Sequence, residues 1–226
     1  LAETYEQHGM HSEAGSVYTS LLEEADAAAA AAGDAAVPGL SGKPVTFAVD
    51  TLTPIHFLRF TRRTAGVDGA RKVFGAQARK AWCTFHVYVA AARMEHQMSR
   101  DTKMARNIFE IGLKKFIAEP LYVLDYIQFL SQCCNDSAQV RSVFERGLQQ
   151  ALLNNGTGSS GAAQPSSATP TPYPAANNSC ALQLFDAFLD LEYPRGDFAF
   201  IRGLEKRRAL AAQSLSSGGG GGGSSG

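Results

Sequence analysis

The chain has 226 residues, room for one or two ordinary domains, and its 21 basic residues balance its 21 acidic ones. That balance excludes a strong general field toward nucleic acid or membrane, and no run of about 20 apolar residues offers a bilayer span. Four cysteines, Cys83, Cys133, Cys134 and Cys180, form no Cys-x-x-Cys pair. Reduced thiols are therefore expected, with no zinc and no disulfide framework.

In chain order, residues 1–26 read as helix and as a partial repeat. Residues 27–50 read as a low-complexity insertion opening on six alanines, Ala27 to Ala32. Residues 51–153 carry the clearest repeats. Residues 154–179, built from Asn, Gly, Ser, Thr, Pro and Ala, read as a disordered insertion. A last helix pair is expected over 180–213, then a flexible Gly/Ser tail over 214–226. Leu1 in place of an initiator Met, together with that tail, suggests a segment of a longer protein carrying a spacer.

Three segments superpose without a gap. They are Ala70-Arg71-Lys72-Val73-Phe74, then Ala105-Arg106-Asn107-Ile108-Phe109-Glu110-Ile111-Gly112-Leu113, then Val140-Arg141-Ser142-Val143-Phe144-Glu145-Arg146-Gly147-Leu148. Arg71, Arg106 and Arg141 stand 35 residues apart. Fainter copies flank them, with Val17-Tyr18 at the Val-Phe positions of one and Phe200 with Gly203-Leu204 at the Phe and Gly-Leu positions of the other.

Each copy has a partner helix before it, predicted over residues 54–64, 86–98, 121–133 and 182–193, where apolar residues follow the helical period. Pro54 and Pro120 mark helix starts, and Asp68-Gly69 and Asn135-Asp136-Ser137 read as the turns into the second helices. A unit of about 35 residues made of two antiparallel helices is the tetratricopeptide class of α-solenoid, here with four to five pairs. The fold class expected is thus all-α. The shared core is assigned to Val73, Phe74, Ile108, Phe109, Leu113, Val143, Phe144 and Leu148, with Gly112 and Gly147 admitting close helix approach. The recurring arginines admit two readings: a salt bridge within each repeat, with an acid of the preceding helix such as Glu95, or a ladder facing an acidic or phosphate ligand.

Chemistry elsewhere is sparse. His8-x-x-His11 lacks a third ligand, Asp186 and Asp190 share a helix face suited to solvent, and no nucleotide-binding, zinc-protease or serine-hydrolase motif is present. No catalytic residue, metal or cofactor is assigned. Two surface candidates remain. Arg59, Arg62, Arg63, Lys72, Arg79 and Lys80 form a basic stretch able to touch an RNA backbone, though short of aromatic residues to stack bases. Tyr122, Tyr126, Phe129, Phe185, Phe188, Leu189 and Tyr193 form an apolar surplus, the candidate dimer interface.

The signature Ala-Arg-x-Ile/Val-Phe-Glu-x-Gly-Leu resembles the second helix of half-a-TPR (HAT) repeats. Taken in order, Phe60-Thr61-Arg62-Arg63, His86-Val87-Tyr88-Val89, the block from Ile108 to Phe116, Tyr122-Val123-Leu124-Asp125-Tyr126-Ile127, the block from Arg141 to Arg146 and Leu204-Glu205-Lys206-Arg207-Arg208 resemble the C-terminal HAT half of the suppressor-of-forked family, the large scaffold subunits of cleavage stimulation factor. The resemblance covers residues 51–210, more weakly 12–25. It implies a nuclear, non-catalytic subunit of the pre-mRNA cleavage and polyadenylation machinery, forming a homodimer through this half and holding other subunits through other parts. The insertions at 27–47 and 154–179 depart from the family's pattern.

Overall fold

A computed structural model describes residues 1–31, 51–134, 136–156, 180–195 and 197–217. Among these the chain is all-α and of the helical-repeat type, with ten α-helices in sequential pairs: α1 (Ala2–Gln7) with α2 (His11–Ala31), α3 (Leu52–Thr64) with α4 (Gly66–Gln77), α5 (Phe85–Gln97) with α6 (Thr102–Phe116), α7 (Pro120–Phe129) with α8 (Ser137–Gly156), and α9 (Cys180–Glu192) with α10 (Phe198–Ser217). The helices fall into two compact units, one over Leu1–Lys114 and one from Lys115 onward.

In the first unit, α2 packs on α3 and α3 on α5. Ala14 and Tyr18 of α2, the flanking copy of the repeat, are buried against Phe60, with Tyr18 and Phe60 ring centroids 5.4 Å apart. The expected insertion begins later than its sequence suggests. Alanine is the strongest helix former, and α2 continues through Ala27 to Ala31. The rest of both insertions and the end of the tail lie outside the described residues.

The turn into α4 also differs from expectation. It is made by Ala65-Gly66, with Gly66 at φ +75°, a left-handed value that glycine adopts without strain. Asp68 and Gly69 instead lie in the first turn of α4. Ala70 is buried, whereas Val73 and Phe74 are only half-buried, which corrects their assignment to the core. One turn on, this copy has Gln77 and Ala78 where the others have Gly and Leu. Gln77 fills the space and donates to the Pro54 carbonyl at 3.2 Å, and Phe74 meets Tyr88 edge-on at 5.2 Å. In α6 the pattern is complete: Ala105, Ile108, Phe109, Gly112 and Leu113 are all buried.

In the second unit, α7 packs on α8 and on α9, and α9 on both α8 and α10. Phe144 is fully buried, stacked on Phe188 at 4.0 Å and edge-on to Phe185 at 5.7 Å. The first helix of this unit ends earlier than predicted, passing at Phe129 into a π-helical turn, Leu130–Cys134. Helices α7 and α8 approach closely at Gly147, where a Cβ would stand 2.7 Å from Val123 Cγ1. Gly147→Ala is therefore expected to destabilise the chain by about 1–3 kcal/mol, because overpacking against a β-branched side chain exceeds the roughly 1 kcal/mol that Ala gains in a helix. Thermal melts of Gly147→Ala alone and with Val123→Ala check this, since the second change should restore part of the loss.

The last copy is shifted in register. Asp197 opens α10 as Asp101 opens α6 and Asp136 opens α8. The Ile201 amide bonds to the Asp197 carbonyl at 2.9 Å, as Ala105 does to Asp101 and Val140 to Asp136. Ile201 thus stands at the Ala105/Val140 position and Arg202 at the arginine position, so Phe200 is not the counterpart of Phe109 and Phe144.

Candidate interaction surface

Two of the recurring arginines, Arg71 and Arg141, work across pairs. Arg71 of α4 donates from Nε and Nη2 to both carboxylate oxygens of Glu95, at 2.9 and 2.8 Å, and from Nη2 to Asp101 Oδ2 at 3.1 Å. Asp101 meanwhile accepts the Met104 amide on Oδ1 at 2.9 Å, capping α6. The second unit repeats this. Arg141 donates to Glu192 Oε2 at 3.2 Å and Asp197 Oδ2 at 3.1 Å, while Asp197 Oδ1 accepts the Phe200 amide at 3.2 Å. Arg195 adds a second cation on Glu192 at 2.7 Å, and the Arg141 guanidinium lies 3.8 Å from the Phe200 ring centroid.

Glu95 and Asp101 belong to the pair after Arg71, and Glu192 and Asp197 to the pair after Arg141. For Arg71 and Arg141 the expectation of a bridge within one repeat is corrected accordingly: at 1.5 Å per residue each lies about 6–8 Å along its helix, beside the end of the next pair's first helix. For these two the ladder reading is corrected as well, because each guanidinium is held by two carboxylates. The Glu95 bond holds the Arg71 guanidinium above its usual range against the opposing effect of burial. For Arg141 burial acts downward, and the bonds from Glu192 and Asp197 more than reverse it.

The basic stretch does not form one face. Arg63 donates to both oxygens of Glu6, at 2.6 and 2.8 Å, and this bond holds the Glu6 carboxyl below its usual range. Lys80 is paired with Asp26 at 2.6 Å, where Trp82 Nε1 also donates at 2.7 Å. Arg62 is half-buried, Arg59 is exposed on α3, Lys72 is exposed on α4, and Arg79 is exposed in the turn after it. In the second unit Arg207 grips Glu145 at 2.6 and 2.7 Å, and Arg208 bonds Asp186.

The apolar surplus is mostly interior. Tyr122, Tyr126, Phe129, Phe185, Phe188 and Leu189 are buried by the chain's own helices, so they cannot form the exposed interface expected of them. The sequence concentrates them because α7 and α9 are each covered by neighbours on more than one side. Tyr193 alone is exposed, at 51 %, with its hydroxyl donating to Glu205 at 2.7 Å. Tyr193, Asp186, Asp190, Leu189, Glu205 and Arg208 line a shallow groove between α9 and α10. His8 and His11 lie on either side of the break between α1 and α2. Cys83, Cys133, Cys134 and Cys180 are not joined in disulfides, and among the described residues no helix is long and apolar enough to cross a membrane.

Paired helices at a 35-residue interval, two of them latched by an arginine reaching into the next pair, define a helical-repeat protein. The chain belongs to the suppressor-of-forked family, whose model, described as "Suppressor of forked protein (Suf)", matches residues 1–217. It is 44% identical over 99 residues to "Cleavage stimulation factor subunit 77" of Arabidopsis thaliana, covering 44% of this chain and 13% of that protein. It is 32% identical over 165 residues to "Protein suppressor of forked" of Drosophila melanogaster, covering 73% and 18%. To "mRNA 3'-end-processing protein RNA14" of Cryptococcus neoformans it is 33% identical over 153 residues, covering 68% and 12%. The matched region is thus less than a fifth of the length of each of these relatives.

Proposed function

We propose that this chain is part of a non-catalytic scaffold of the nuclear machinery that cleaves and polyadenylates pre-mRNA, and that it self-associates through its later helix pairs. The observation that carries the reading is the family match across residues 1–217, with relatives whose names specify cleavage stimulation and mRNA 3'-end processing. A helical-repeat chain supports such a role because each pair needs its neighbours to cover its apolar face, leaving long outer surfaces for partners. Other subunits of the machinery are the partners expected there.

Self-association is supported by apolar side chains in the second unit that its own helices leave open. Leu153, Phe198 and Leu210 are 60, 79 and 65 % exposed, and Leu121, Leu152 and Tyr193 are also open. These replace the buried aromatic residues as the candidate dimer surface. Sedimentation at micromolar concentration should give twice the 24.1 kDa of the chain. Phe198→Asp with Leu210→Asp should return it to a single chain. A single-chain mass for the parent protein would remove the self-association reading.

A further inference from the structure

We propose that the outer face of α4 and α6 binds the phosphate backbone of single-stranded RNA without reading its sequence. The repeat register defines this face. Residues 68, 72 and 76 of α4, with 79 in the turn that continues it, stand 35 positions before residues 103, 107, 111 and 114 of α6, and all eight are exposed. They lie opposite Ala70 and Gln77 of α4 and Ala105 and Leu113 of α6, which are buried. Four of the eight are cations, Lys72, Arg79, Lys103 and Lys114, against a single acid, Asp68. The others, Ala76, Asn107 and Ile111, are uncharged.

Lys72, Arg79, Lys103 and Lys114 enter no ion pair among the described residues, whereas Arg63, Arg71 and Lys80 are each held by carboxylates. Their charge is therefore available to a partner. At 1.5 Å per residue, Lys72 and Arg79 are separated by about 10 Å along the helix direction and Lys103 and Lys114 by about 16 Å. Such an array suits a chain of regularly spaced phosphates. Three of the four are lysines, point charges rather than planar forks, and no aromatic side chain lies on the face to stack a base. Both facts favour backbone contact over base recognition.

The test is fluorescence anisotropy of the full chain with a labelled uridine 20-mer and a labelled cytidine 20-mer. The two should bind equally, and log affinity should fall with log salt at a slope of about −3, from about −0.7 per neutralised phosphate on a single strand. Lys72→Glu, Arg79→Glu, Lys103→Glu and Lys114→Glu together should weaken binding at least about tenfold at low salt. The control pair Arg202→Glu with Lys206→Glu on α10 should leave it within about threefold. Circular dichroism of the fourfold variant establishes that it is folded, and its sedimenting mass should match the parent's, which separates this proposal from self-association. No binding at low salt, a fourfold variant that binds like the parent, or a strong preference for one base would overturn it. Displacement of the RNA by oligoglutamate at lower concentration than by unlabelled RNA would reassign the face to an acidic protein segment.

Discussion

Arg71→Ala is expected to destabilise the chain by about 2–4 kcal/mol, more than Arg141→Ala, although the two arginines occupy the same repeat position. The difference comes from what each leaves behind. The Glu95 side chain is 4 % exposed and takes its two ion-pair bonds from Arg71 alone among the described cations. Removing the guanidinium leaves a carboxylate with little water and no counter-charge, the costliest way to break such a pair. The Arg71 side chain is itself 35 % exposed, so some solvent can reach the site, which sets the estimate below the full range for a buried pair. Glu192 is more deeply buried, at 0 % exposure, yet Arg195 remains beside it after Arg141 is gone. The loss there should be about 1–2 kcal/mol, from the hydrogen bonds to Glu192 and to the exposed Asp197 and from the contact with Phe200. Urea unfolding followed by circular dichroism measures both, as a lower midpoint at similar slope. Arg71→Met combined with Glu95→Leu should recover most of the loss, because a well-packed apolar pair can replace a buried ionic one. The chain already makes half of that replacement: the residue 35 positions after Glu95 is Leu130, fully buried, while the arginine position keeps Arg106. Equal losses for Arg71→Ala and Arg141→Ala would mean that Arg195 does not hold Glu192.

Much of this arrangement is legible in the sequence. The interval of 35 residues identifies the second helices, because a buried helical stripe leaves a periodic trace. Pro120 marks the start of α7, whose helix begins at that residue. The direction of the arginine bridge is not legible. Arg71 is 24 residues before Glu95, and sequence distance alone cannot tell a neighbour in the next pair from one in the same pair. The capping aspartates do leave a signal, since Asp101 and Asp136 stand at the same interval as the arginines, but it is one residue type among many in loops. Asp197, which shows the register of the last copy, lies beyond an insertion that breaks the interval. The aromatic residues of α7 and α9 mislead for a different reason. A helix covered on two sides and a helix with an exposed sticky face carry the same excess of apolar residues, and only packing separates them. The basic stretch misleads similarly, because its acidic partners Glu6 and Asp26 are more than 50 residues away.

Phe144→Ala should cost about 3–5 kcal/mol, and Phe74→Ala, at an earlier copy of the same position, only about 1–2 kcal/mol. Phe144 has no exposed surface and touches two rings, Phe188 in a parallel stack and Phe185 edge-on. Truncation removes the transfer free energy of a ring, opens a cavity, and deletes two aromatic contacts worth about 0.5–1.5 kcal/mol each. The surrounding helices cannot close the space easily, because Gly147, three residues on, already brings Val123 as near as a backbone allows. Phe74 is half-buried, so part of its ring is in water before the substitution, and its aromatic contact is Tyr88. Phe144→Leu should cost about 1–2 kcal/mol, well below Phe144→Ala, since leucine keeps most of the apolar volume but not the stack. Denaturant midpoints of the three variants provide the ranking. If Phe74→Ala proved as damaging as Phe144→Ala, the seam would run at equal depth through both pairs, and the account of Gln77 as a polar filler in the first would be wrong.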